Sequence, residues 1–167
     1  GTWWEWGFRT GWSDRNPGST GVERNLINLQ IVIVGCNQVG ARLAVALVDN
    51  GHTVCVIDCE TANLDRLSRS LIDSDSITPI FGDASSSDTL NEANVENADA
   101  FIILTGDDVL NGLVAQKARS VYRVPRALCL VKDDDLRKMY NDLGLETIDP
   151  SQMIAEAVSS ALIISQG

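Results

Sequence analysis

The turn Gly35-Cys36-Asn37-Gln38-Val39-Gly40 has the residue types and spacing to wrap a backbone around a phosphate. It follows the apolar run Ile31-Val32-Ile33-Val34 and opens a stretch of helical period. In that context a G-x-G-x-x-G turn delivers a pyrophosphate to a helix N-terminus. The first glycine makes the tight turn, the middle one lets the backbone approach the pyrophosphate, and the last lets helix and strand pack closely. Here the middle position is Asn37. Asn tolerates positive φ better than most residues, so the loop shape survives. Its side chain is expected either to crowd a pyrophosphate or to hydrogen-bond to it.

Asp58 follows Gly40 by 18 residues and closes a second apolar run. A carboxylate there accepts from the ribose hydroxyls of an adenosine; the competing role is the N-cap of the next helix. Its neighbours Cys59 and Glu60 are not basic, so a 2′-phosphate meets negative charge and NADP is disfavoured. Gly82-Asp83-Ala84-Ser85 and Thr105-Gly106-Asp107-Asp108 end two further strands on the same edge, with Asn111 one turn into the following helix. These loops line the expected crevice, although Asp83 and Asp107 also suit turns and caps. The binding set predicted from these motifs is Gly35, Cys36, Asn37, Gln38, Val39, Gly40, Asp58, Cys59, Asp83, Ala84, Thr105 and Gly106.

Catalytic and metal chemistry find no such support. His52 sits in the turn before the second strand, and neither Tyr122 nor Tyr140 begins a Tyr-x-x-x-Lys pair. There is no G-x-S-x-G elbow and no P-loop lysine. Lys132-Asp133-Asp134-Asp135 reads as a solvated helix start, where acids favour the dipole. Cys36, Cys55, Cys59 and Cys129 form no C-x-x-C pair and read as reduced structural thiols. No catalyst and no metal are assigned.

The elements that must position these residues alternate. Strands are predicted at 31–34, 53–57, 77–81, 100–104, 127–131 and 146–148. Helices are predicted at 38–49, 61–71, 86–93, 108–121, 133–141 and 151–165. In the first helix Val39, Leu43, Ala46 and Leu47 form the expected buried face. Parallel strands need crossovers, so this order predicts a Rossmann-type, doubly wound parallel α/β sheet of six strands with helices on both faces. Residues 29–150 form that domain. Residues 151–167 form a terminal helix whose stripe of Ile154, Ala157, Val158, Ala161, Leu162 and Ile164 covers the sheet or docks on another subunit. Residues 1–28 hold all four tryptophans and five of the thirteen glycines without period, and are expected to lie outside the fold.

Composition narrows the partners. The net charge is −10, and residues 1–28 carry three acids against three bases, so the excess lies in the remainder. A body this acidic repels nucleic-acid phosphates. A bound phosphate must therefore be held by backbone amides rather than a lysine cluster. No apolar run reaches the ~20 residues that span a bilayer, and the first residues lack the pattern of a signal peptide. A cytoplasmic protein without direct membrane insertion is expected.

From about residue 29 to 165 the chain resembles the RCK/KTN (TrkA-N) domain, the regulatory module of Trk- and Ktr-type potassium transport systems and gated potassium channels. The elements that carry this are, in order, the turn Gly35 to Gly40, Val56-Ile57-Asp58 with Glu60, and Phe81-Gly82-Asp83-Ala84-Ser85 with Leu90. Ala98-Asp99-Ala100, Thr105 with Asp107, Asp108 and Asn111, Leu143-Gly144-Leu145 and Asp149-Pro150 follow. The resemblance implies a nucleotide-sensing regulator that pairs into homodimers or larger rings and acts on a membrane potassium transporter or channel subunit. It implies that the glycine loop and Asp58 hold the nucleotide and that the Asp83 loop lies near the adenine. NAD(H) ranks first as ligand, with ADP, ATP or AMP compatible. Family members commonly carry Gly-Arg where this chain has Asn37-Gln38, which removes one charge-assisted phosphate contact. The alternatives are an NAD-dependent oxidoreductase domain without its catalytic partner and the soluble tail of a potassium/proton antiporter.

Overall fold

A computed structural model describes residues 27–164. The expectation for residues 1–28 therefore lies, apart from Ile27 and Asn28, outside the described residues. The chain runs β1 (Gln30–Val34), α1 (Gln38–Asp49), β2 (Thr53–Asp58), α2 (Thr61–Leu64), α3 (Arg69–Asp73), β3 (Ile77–Phe81) and α4 (Ser87–Glu92). After a 3-10 turn at Val95–Asn97 come β4 (Ala100–Ile103), α5 (Asp108–Ser120), β5 (Arg126–Leu130), α6 (Asp134–Asp142), β6 (Glu146–Ile148) and α7 (Pro150–Ile164). The sheet has six strands in the order β3-β2-β1-β4-β5-β6, and every pairing is parallel. This is the doubly wound Rossmann-type sheet that the alternating pattern predicts.

β1 lies at the centre because its apolar run has two faces to bury. Ile31, Val32, Ile33 and Val34 are all buried, which is why the segment reads as continuous rather than alternating. Val32 pairs with Cys55 on one side and Phe101 on the other. Phe101, Ile57, Leu90, Val95 and Ile103 are fully enclosed and form the centre of the core. At the far edge Arg126 grips Glu146 with two bonds, Nε to Oε2 at 3.1 Å and Nη2 to Oε1 at 3.0 Å, holding β6 against β5. The order reverses between β1 and β4, and the loops leaving their carboxyl ends diverge to form the crevice where such sheets bind ligands. Among the described residues no helix is long and apolar enough to cross a membrane.

Two local expectations change. The single helix over 61–71 is two short ones, α2 and α3, and the break between them turns Leu67 into the core at 7% exposure. In α1 the buried face is Gly40 and Ala44, while Val39 stands 64% exposed and Ala46 is also outside. The cause is steric. A β-carbon on Gly40 would lie 2.0 Å from the Gly35 carbonyl oxygen, so this residue must face the strand and it sets the helix phase. The count of apolar side chains alone points to a different face.

The same contact yields a test. Gly40→Ala should destabilise the domain by at least about 1–3 kcal/mol, the usual cost of overpacking, read as a lower urea midpoint. At Gly106 an added β-carbon meets nothing within 4 Å, so Gly106→Ala should change stability by less than about 0.5 kcal/mol.

Candidate functional site

Gly35 adopts φ +102°, a left-handed conformation that turns the chain out of β1. Its N–H still donates to the Ile57 carbonyl at 2.9 Å, so the turn begins under sheet restraint. The buried Cys36 follows, its N–H donating to Asp58 Oδ2 at 2.7 Å. Asn37 then caps α1 in extended conformation, φ −73° and ψ −175°. The positive φ of this turn falls on Gly35, so Asn37 does not draw on its tolerance of that region. The Asn37 side chain makes two bonds within the protein. Oδ1 accepts from the Gly40 N–H at 2.9 Å, and Nδ2 donates to the Leu104 carbonyl at 2.9 Å, at the end of β4. Gln38 and Val39 are exposed on the first turn. Their N–H groups have no intrahelical acceptor, and none is found for them among the described residues.

Asp58 is buried, with 8% exposure. Besides the Cys36 amide it accepts at Oδ1 from the Glu60 N–H at 2.8 Å and from Asn63 Nδ2 at 3.1 Å. The cap position of α2 is Glu60, which makes no side-chain cap bond, so Asp58 is not the N-cap. A carboxylate offers about four lone-pair directions; three internal bonds leave one for a ligand hydroxyl. Around it, burial raises the Cys36 thiol pKa most, Asp58's charge raises it further, and the nearby Arg66 guanidinium opposes both. Motif reasoning overlooked Arg66, which lies outside the spacing of any fingerprint. Cys59 stands exposed beside Asp58.

The third loop joins this group through the Gly82 N–H, which donates to the Asp58 carbonyl at 3.0 Å. Asp83 is committed to its own turn, with Oδ1 accepting from the Ser85 N–H at 2.8 Å and hydroxyl at 2.6 Å. Ala84 packs into the core rather than facing the crevice. At the fourth strand the Thr105 hydroxyl donates to Asn111 Oδ1. Asn111 is fully buried and donates from Nδ2 to the Thr105 and Leu130 carbonyls, each at 2.9 Å. Asp107 caps α5 through the Leu110 N–H at 3.1 Å, and Asp133 caps α6 through the Leu136 N–H at 2.9 Å. Asp108 takes a part that its position in the sequence does not announce: Oδ2 accepts from the Lys132 and Asp133 amides at 2.9 and 2.8 Å. His52 lies at the opposite end of the strands, where Nδ1 accepts from the Leu29 N–H at 3.3 Å.

The carboxyl edge thus brings together the β1 turn, Asp58 and the Gly82 loop, while Ala84 turns away and the Thr105 hydroxyl is engaged by Asn111. Residues 31–149 match the TrkA-N domain model. The chain belongs to the TrkA-N family. It is 34% identical over 137 residues to the Trk system potassium uptake protein TrkA of Streptomyces coelicolor, covering 82% of this chain and 60% of that protein. The TrkA-N domain of inner membrane protein ybaL from Escherichia coli superposes with a TM-score of 0.69 at 19% identity, covering 81% of this chain and 98% of that one. The Kef CTD of Shewanella denitrificans in its AMP-bound form gives a TM-score of 0.66 at 16% identity, covering 83% and 82%. These structures share the fold of this TrkA-N domain.

The Asp83 turn has a pH signature. The hydroxyl and then the amide of Ser85 hold its carboxyl below the ordinary value of 3.8. A group depressed on folding contributes above its unfolded pKa and loses that contribution as pH falls through the folded one. The Asp83 carboxyl carbon should therefore titrate by NMR below 3.8, and Ser85→Ala should move its midpoint upward.

Proposed function

We propose that this TrkA-N domain binds an adenine nucleotide without turnover and reports its occupancy to a potassium-transporting membrane subunit. The observation that carries this reading is the buried Asp58 carboxylate at the end of β2, with one acceptor direction open beside a helix N-terminus whose Gln38 and Val39 amides are unclaimed. A ribose hydroxyl donates to the carboxylate, and a phosphate meets the amides and the helix dipole. The bound AMP of the Kef domain supports a ligand of this class. The named role of the Streptomyces relative in potassium uptake supports the partner. Non-enzymatic action fits the polar groups on this edge: Asp83, Asp107 and Thr105 are engaged in local bonds rather than poised for proton transfer.

Signalling requires a ligand that favours one of two states. The residues suited to transmit it lie on α7, where Ile154, Val158 and Leu162 recur every fourth residue at 65%, 56% and 63% exposure. Their spacing makes one apolar row, which supports pairing with a second copy. The regulator then sits at the cytoplasmic face of the membrane through its transporter.

Calorimetric titration with AMP, ADP, ATP, NAD⁺, NADH and NADP⁺ tests the ligand class. Binding that excludes NADP⁺ is expected, and Asp58→Ala should weaken it by about 1–3 kcal/mol, the cost of losing a hydrogen bond to a charged group. Unchanged affinity in the variant would remove Asp58 from the site. Independently, Val158→Glu with Leu162→Glu should convert a dimer to monomer in sedimentation velocity.

A further inference from the structure

Resting on the nucleotide reading above, we propose that Asn37 is a specificity-determining residue. It narrows the site to adenosine nucleotides with a single phosphate and disfavours the pyrophosphate ligands NAD(H), ADP and ATP. This reverses the order that the family resemblance implies, in which NAD(H) comes first.

The argument begins with position. The middle residue of the turn is where the backbone must come close to a pyrophosphate, and a glycine there leaves the approach open. Asn37 places a β-carbon and an amide at that point. Its second feature is that the side chain is tethered at both polar ends. Nδ2 bonds the Leu104 carbonyl at 2.9 Å and Oδ1 the Gly40 N–H at 2.9 Å. Swinging aside would break both bonds and leave a strand-end carbonyl and a first-turn amide without their partner, which carries a penalty for each.

The third feature is the supply of donors. With the Gly40 amide occupied by Oδ1 and the Cys36 amide by Asp58, the Asn37, Gln38 and Val39 amides remain at the head of α1. Adjacent amides at one helix head converge on one phosphate group. A second phosphate would find no basic side chain between residues 35 and 41. The adenosine end is untouched by the substitution, because Asp58 reads the ribose from the neighbouring strand. The residue therefore acts on the phosphate portion alone, which separates its effect from that of Asp58.

The test is titration of the full chain and of Asn37→Gly with AMP, ADP and NAD⁺. The wild-type protein should bind AMP about tenfold more tightly than ADP or NAD⁺, in keeping with two lost or strained hydrogen bonds. Asn37→Gly should close most of that difference by raising the affinity for ADP and NAD⁺ relative to AMP, since glycine opens the approach to the pyrophosphate and is tolerated as a helix cap. Should the glycine variant fail to fold by circular dichroism, Asn37→Ser keeps a capping oxygen on a shorter side chain and should shift the order in the same direction. Tighter binding of ADP or NAD⁺ than AMP by the wild type, or an unchanged order in the folded variant, overturns the role of Asn37 and leaves the nucleotide site standing. Failure of all three ligands to bind either protein overturns the nucleotide reading, and this inference with it.

Discussion

Helix α1 starts where it does because Gly40 lies directly over the Gly35 carbonyl, so close that a β-carbon would fall 2.0 Å from the oxygen. Much of the carboxyl edge follows from this contact. It sets the phase of α1, so that Ala44 is buried and Val39 is carried outward. It brings the Gly40 amide within reach of Asn37 and the Cys36 amide within reach of Asp58. The dipole of α1 is thereby aimed into the crevice between β1 and β4, where the strand order reverses.

The rest of that edge is held by side chains that bond the backbone of a neighbouring segment. Asn37 reaches the end of β4, Asn111 the end of β5, and Asp108 the amides that precede α6. Strand ends are where sheet hydrogen bonds run out, and a buried carbonyl or amide left there carries a penalty. Polar side chains at these places satisfy the backbone and fix the loops together. Asn111 is fully enclosed with both of its donor hydrogens and its oxygen engaged, a buried polar group whose bonds specify one arrangement. The crevice is thus preorganised rather than formed by mobile loops.

Charge shapes what such a crevice can hold. A chain of net charge −10 gives little long-range attraction to a phosphate. Selectivity must come from short-range geometry, which is the setting in which one residue such as Asn37 carries weight. Among the described residues, Arg66 contributes the basic influence felt at the Cys36 thiol. It comes from the segment after β2 and not from the glycine turn itself.

The fold class, the alternation of strands and helices, and the stations of Gly35, Gly40 and Asp58 were legible in the sequence. Apolar runs and helical periods are properties of chain neighbours, and a glycine turn between them is a local signal. The TrkA-N resemblance was legible for the same reason, as an ordered series of short motifs. The phase of α1 was not, because it depends on one steric contact rather than on the number of apolar residues. The break between α2 and α3 was hidden as well, since it serves the burial of Leu67. Above all, the partners of Asn37, Asn111 and Asp108 lie 67, 19 and 24 residues away. Residue type makes each of them a donor or an acceptor; only the packing of six strands side by side determines which backbone group stands within bonding distance.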